Sequence, residues 1–359
     1  MKLCIYIFVI AQFFTIAYAN NSVELQQQFK TAYQSYKSSL NSNDLTHQKT
    51  AAKEAYELGR KLYGDTHINS AKLALNYVVS RHKLKELSQN DELESFIASV
   101  YREKYGNHSK ELIDLYYLLS KSVGWEDKEQ YNDYINKSLK LAAEAKPHAP
   151  ALTAATQLIM GKDLINTGDR RGKIILEALE YFDSTFPSND KRVVEAKFWA
   201  GKYYLSFEKR NNAIEVLTSN LPVFEKVKGA THPLELATHA FLVQAYEGKR
   251  MSDEATKHCQ AIGSMTPWDD SQEATPIYRV NPKYPIDMAR KGKSGYVVFE
   301  FTITDIGTID DIKTLEYEGK AFIKEGKLAL EQWRYAPKFV DGKAVAAEKQ
   351  TLRLDFTLG

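Results

Sequence analysis

The feature that most constrains this chain is a break that returns every 40 to 42 residues. Tyr63-Gly64 is followed by Tyr105-Gly106, Pro147-His148, Pro187-Ser188 and Lys228-Gly229, at steps of 42, 42, 40 and 41 residues. Between the breaks apolar residues recur at three- and four-residue steps, as in Leu112, Leu115, Tyr116 and Leu119, or Ala196, Trp199, Ala200 and Tyr203. That spacing lines one face of an α-helix. A repeat of this length without strand signal is most simply a pair of antiparallel helices, and neighbouring pairs must stack to bury their apolar faces. Residues 23–265 therefore predict about six helix pairs, beginning near residues 23, 66, 107, 148, 189 and 231. Stacked, they form an α-α solenoid whose concave surface suits an extended peptide or protein segment. The plainer alternative is a spacer or scaffold, and the sequence singles out no groove residues.

The junctions share chemistry as well as spacing. Gly64-Asp65-Thr66-His67, Gly106-Asn107-His108 and Gly229-Ala230-Thr231-His232-Pro233 each offer a glycine to close one helix and a polar residue to cap the next. His67, His108 and His232 are accordingly read as capping or packing residues. With these motifs the region resembles tetratricopeptide-type (TPR) repeats, especially the longer kinesin light chain variety. Residues 229–246 fit that pattern best, and Ala255 suits the second helix.

No catalytic constellation accompanies the repeats. The eight histidines are scattered, with no H-E-x-x-H and no carboxylate at metal-ligand spacing, so neither an enzyme nor a metal or cofactor site is expected. Gly168-Asp169-Arg170-Arg171-Gly172-Lys173 fails as a phosphate loop: it is one residue short between the glycines, Ile174 replaces the hydroxyl residue, and no strand precedes it. A net charge of +2 spread over mixed Lys and Glu excludes the basic footprint of a nucleic-acid binder.

The N-terminus reads as an export signal. Lys2 precedes a mostly apolar run that ends in Ala17-Tyr18-Ala19 before the polar Asn20 and Asn21, which predicts a signal peptide over residues 1–19 cut after Ala19. The mature protein would then be periplasmic. The alternative is a retained inner-membrane anchor, since the run is about as long as the shortest spanning helices. Cleavage would remove Cys4 and leave Cys259 alone, read as a small buried apolar residue.

Residues 266–276 are polar and bounded by prolines, as suits a linker, and residues 277–359 change character. Pro282 and Pro285 hold Lys283-Tyr284 extended, and a short helix from Ile286 ends at Gly292. A strand follows, with Val297, Phe299, Phe301 and Ile303 on one face and Val298, Glu300, Thr302 and Thr304 on the other. Asp305-Ile306-Gly307 makes a turn, and residues 308–317 run back as a second strand. A helix is expected from about Lys320 to Trp333, stopped by Pro337, then a loop around Asp341-Gly342. A last strand alternates Leu352, Leu354, Phe356 and Leu358 with Arg353, Asp355 and Thr357. The predicted class is mainly α: a TPR-like solenoid followed by a small α+β domain with a three-stranded antiparallel sheet.

The order Tyr284-Pro285, Ala289, Gly292, Gly295, a V-x-F-x-I strand, Gly307, Trp333-Arg334-Tyr335-Ala336-Pro337 and Asp341-Gly342 resembles the TonB C-terminal domain family over residues 277–359. The resemblance implies protein partners, outer-membrane transport receptors among them, whose short N-terminal box adds as a strand beside the terminal strand. It places that edge at about residues 350–358, with Gln350, Leu352, Arg353, Leu354, Asp355 and Phe356, and a second contact region at Arg279, Val280 and Asn281. Strand addition suits an exposed edge, because main-chain hydrogen bonds ask little of the partner's sequence. Tyr284, Pro285, Gly295, Gly307, Trp333, Arg334, Tyr335 and Pro337 carry the motif as structural residues, and Arg334 is read as snorkelling or pairing with a nearby carboxylate. The chain departs from the family pattern in three ways. Asn281 stands where a glutamine is usual, no histidine occurs before His47, and repeats replace a long Pro/Lys/Glu-rich spacer. These departures put force transduction in question and leave protein binding intact, so the alternative is a soluble periplasmic scaffold or adaptor without energy transduction.

Overall fold

The computed structural model describes residues 21–86, 92–124, 127–224, 232–265, 268–269 and 274–358. The leader 1–19 with its cut at Ala19, the Gly229 junction and most of the linker lie outside the described residues. The chain divides into two compact units, 1–157 and 158–359.

The first unit is helical: α1 (Asn21–Ser39), α2 (Leu45–Tyr63), α3 (Ile68–Lys83), α4 (Glu92–Tyr105), α5 (Lys110–Val123), α6 (Lys128–Ala145) and the start of α7 (Pro150–Asn166). Small residues Ala51, Ala52, Ala55, Ala71 and Ala74 are buried on α2 and α3, which lets the helices approach, while Leu73, Ile97, Tyr101, Leu112, Leu119 and Tyr134 fill the core. Polar ties run at the repeat spacing. His82 Nδ1 lies 2.6 Å from Ser122 Oγ, and the Tyr134 hydroxyl donates to Glu94 at 2.6 Å, each pair 40 residues apart. Junction chemistry follows the expected plan in part. Gly64 and Gly106 adopt positive φ of 98° and 95°, and His67 caps α3 by accepting from Asn69 N–H. At the second junction the cap is Ser109, which accepts from Leu112 N–H, and not His108. His108 is instead half-exposed, 3.8 Å from Glu144.

The second unit continues with the rest of α7, a 3₁₀ turn (Arg170–Lys173), α8 (Ile174–Thr185), α9 (Lys191–Ser206), α10 (Arg210–Thr218), α11 (Leu221–Phe224), α12 (Pro233–Glu247) and α13 (Ser252–Met265). Asp169 caps the 3₁₀ turn and also receives the Arg171 guanidinium, so Gly168–Lys173 is an interhelical turn. His232 caps α12 through Leu234 N–H. Cys259 is fully buried on α13, and burial pushes its thiol up to about 12.

The C-terminal module adds α14 (Ile286–Arg290), β1 (Gly295–Ile303), β2 (Ile309–Glu318), α15 (Lys320–Leu330), β3 (Lys338–Val340), β4 (Lys343–Val345) and β5 (Ala347–Phe356). Its antiparallel sheet has the order β2-β1-β5. Val297, Phe299, Phe301 and Ile303 pack with Phe322, Leu330, Trp333, Tyr335 and Phe356 to form the core. Three details differ from expectation. The last strand, expected to run to Leu358, ends at Phe356, and Leu358 is exposed. The loop around Asp341-Gly342 is a β3-β4 hairpin whose two central residues have φ of 51° and 74°, the positive values that primed two-residue turns require. The helix ends at Leu330 rather than Trp333: the Gln332 and Trp333 N–H groups donate three residues back, to the Ala329 and Leu330 carbonyls, which closes the last turn, and the Trp333 indole N–H donates to the Val280 carbonyl at 2.9 Å.

Candidate functional site

The module presents two strand edges, and they are unequal. β1 lies in the middle, so β2 and β5 each have a neighbour in the sheet on one side. The β1-β2 ladder is interrupted twice, between Val298 and Phe299 and between Glu300 and Thr302, and Asp311 sits at a φ of 48°. Bulges of this kind twist an edge away from further pairing. On β5 the single interruption falls near its start, where Lys349 has a φ of 55°. From Gln350 to Phe356 the strand then runs in unbroken register against Phe301 to Gly295, an edge roughly 23 Å long at the usual rise per residue.

Side-chain alternation fixes which way this edge faces. Leu352 and Leu354 pack against the core and Phe356 is buried in it, while Arg353 and Asp355 point to solvent. The Phe356 ring stacks on Phe322 with centroids 4.5 Å apart and meets Tyr284 edge-on at 6.1 Å. Arg353 lies over the Tyr296 ring, 3.6 Å from its centroid, and pairs with Asp355 at 2.9 Å. The hydrogen bond from Tyr296 to Glu316 raises the phenol above its ordinary pKa. Gly295, opposite Phe356, is needed because a Cβ there would stand 2.0 Å from the Glu318 carbonyl oxygen.

The motif residues brace this edge. The Tyr284 hydroxyl donates to the Lys293 carbonyl at 2.7 Å, Pro285 starts α14, and Pro337 is buried. Tyr335 N–H donates to the Gly307 carbonyl at 2.9 Å. Arg279 and Asn281 are both exposed, on either side of the Val280 carbonyl held by Trp333. Tyr284, three residues beyond Asn281, links this segment to the end of β5 through Phe356. Arg334 is buried and pairs with Glu247 of α12 at 2.5 Å. Composition and periodicity carried no signal for Glu247, which lies 87 residues away.

What the β5 edge offers a partner is a row of backbone donors and acceptors. Among the described residues no group of three His, Cys, Asp or Glu could hold a metal ion, and no helix is long and apolar enough to cross a membrane. In the first unit a separate cleft is lined by Tyr56, Arg60, Asp65, Glu92, Leu93 and Phe96, with Arg60 already paired to Asp65 at 2.8 Å.

Fold and edge together define a helical-repeat protein that ends in a small α+β module with an open terminal strand. Residues 280–358 match the family model of the Gram-negative bacterial TonB protein C-terminal, so the chain ends in a TonB-type C-terminal domain. Over 80 residues it is 35% identical to Protein TonB of Pseudomonas aeruginosa, a match covering 22% of this chain and 23% of that protein. The chain thus spans about a quarter of the length of this relative. The solution structure of the Pseudomonas aeruginosa TonB C-terminal domain matches at 34% identity, over 26% of this chain and 93% of that one, with a TM-score of 0.22. The crystal structure of BtubC (BKLC) from P. vanneervenii matches at 16% identity, over 72% of this chain and 99% of that one, with a TM-score of 0.37.

Proposed function

We propose that this is a non-enzymatic envelope protein whose TonB-type domain accepts a partner's extended segment as an added strand on β5. The partners are outer-membrane transport receptors, the module faces the periplasm, and the helical repeats hold a second protein segment. The observation that carries this reading is the unbroken edge over residues 350–356, set against a β2 edge that is bulged twice. The match to the TonB C-terminal family over residues 280–358 supports the class of partner. Exposed Arg279 and Asn281 flank the strap that Trp333 holds, and they supply side-chain contacts to the same partner.

A photo-crosslinking residue at Thr351 tests this in a Gram-negative envelope, with the same residue at Leu315 of β2 as control. Receptor capture at Thr351 and not at Leu315 is the expected result. Equal capture at both positions, or capture at Leu315 alone, removes β5 as the docking edge.

A further inference from the structure

The C-terminal module is joined to the last helix pair by more than its linker. Arg334 Nε donates to Glu247 Oε1 at 2.5 Å and its Nη2 donates to the Ser252 carbonyl at 3.2 Å, with the two side chains only 6% and 12% exposed. Gln260 on α13 donates to the Asp305 carbonyl at 3.3 Å. Two glycines allow close approach: a Cβ on Gly307 would stand 3.1 Å from the Cys259 Cβ, and one on Gly263 would stand 2.5 Å from the Pro337 carbonyl oxygen. Ile277 and Tyr278 pack onto Val243, Ala255 and Cys259, and their backbone is strapped to that of Arg334 by three N–H···O bonds of 2.8 to 3.2 Å.

A buried guanidinium is costly unless a carboxylate meets it, so such a pair specifies one arrangement more than it adds net stability. Glu247 is the last residue of α12, and it can meet Arg334 only when the module lies in this register on α12 and α13. We propose that the last helix pair and the TonB-type module form one rigid body, with Arg334 as an intrachain anchor rather than a partner contact. The joint buries Gly307, engages the Asp305 carbonyl and reaches Phe339 of the β3-β4 hairpin, while Arg279, Asn281, Thr351, Arg353 and Asp355 stay exposed. A strand added to β5 is therefore held in a fixed direction relative to α12 and α13. That last step rests on the strand-addition reading, whereas the joint itself does not.

The test is a protease site inserted in the 266–276 linker of the full chain carrying Cys4→Ser, which makes Cys259 the single thiol. After cutting, the two fragments are expected to co-elute in size exclusion, and Cys259 to stay unreactive toward Ellman's reagent. Glu247→Gln leaves a buried cation without its counter-charge, and should raise the Cys259 reaction rate at least about tenfold. Paired Glu247→Met and Arg334→Met replacement should restore protection, because it removes both charges and keeps the volume. Separation of the cut wild-type fragments while both stay folded overturns the proposal, and this outcome does not depend on whether any variant folds. Cys259 as protected in Glu247→Gln as in the parent also overturns it. Loss of receptor crosslinking at Thr351 with co-elution intact would strike the docking reading alone.

Discussion

Gly307 must satisfy two neighbours at once. It adopts a φ of 76°, and a Cβ on it would come within 2.3 Å of the Tyr335 carbonyl oxygen. Gly307→Ala is therefore expected to destabilise the module by at least about 2 kcal/mol, since backbone strain and overlap add. Gly342 has a similar φ of 74° with nothing within 4 Å, so Gly342→Ala should cost only about 1 kcal/mol. Urea unfolding followed by near-UV circular dichroism checks both, and equal losses would refute the packing argument. A second residue-scale effect lies at His239 and His258, whose Nδ1 atoms are 2.8 Å apart between α12 and α13. Burial first, and then the His239 neighbour, pull His258 down to about 4, and burial lowers His239 as well. Both imidazoles are thus neutral in the fold at pH 7. The unfolded chain takes up protons near pH 6.5 that the fold resists, so stability is full above that value and falls as the pH drops toward 4. Partial exposure screens the effect to about 1–2 kcal/mol. His258→Phe, which keeps a ring against Tyr246, should flatten the dependence between pH 6.5 and 4; an unchanged slope in urea midpoints would assign it elsewhere.

At the scale of elements, a helix cap separates two adjacent residues. Ser109→Ala removes the acceptor for Leu112 N–H and should lower the stability of the first unit by about 1 kcal/mol. His108→Ala should stay within about 0.5 kcal/mol, as expected for an exposed pair. Thermal melts of the two variants read this difference, and the reverse order would restore His108 as the cap. The same junction shows what the sequence could convey. Glycine spacing and three-to-four apolar periodicity make the helix pairs legible, because both are local and repeated. Which of two neighbouring polar residues caps a helix depends on backbone geometry, and periodicity does not report it. Likewise the alternation in residues 350–358 identifies a strand, but the break at Lys349 that delimits its regular part needs the partner strand to be seen. The β3-β4 hairpin was hidden by strands of three residues, too short to show alternation. Pairing of Arg334 with a carboxylate is one of two readings the sequence allows, and burial of the guanidinium decides it against snorkelling; that the carboxylate is Glu247 was illegible, because the pair joins two separate elements and neither carries a local mark of the other.

At the scale of the whole molecule, the question is whether this chain can pass force or only hold partners. Force travels through a chain only when one end is fixed to the inner membrane. The segment that decides this is the apolar run within residues 1–19, followed by Ala17-Tyr18-Ala19 and two asparagines. A small-x-small step before polar residues is the pattern of a cleaved leader, and an anchor does not need it. After cleavage Cys259 would be the single cysteine, and its buried position on α13 leaves the exported fold resting on packing and paired polar groups. We therefore expect intact mass of the protein from its native envelope to give a species beginning at Asn20 in the soluble periplasmic fraction. With that result, strand addition on β5 positions or recruits receptors, and energy coupling requires a second, anchored protein. A membrane-bound species that keeps Met1 would overturn this expectation. The rigid body of α12, α13 and the TonB-type module would then be the end of a tethered chain able to pull on what β5 holds.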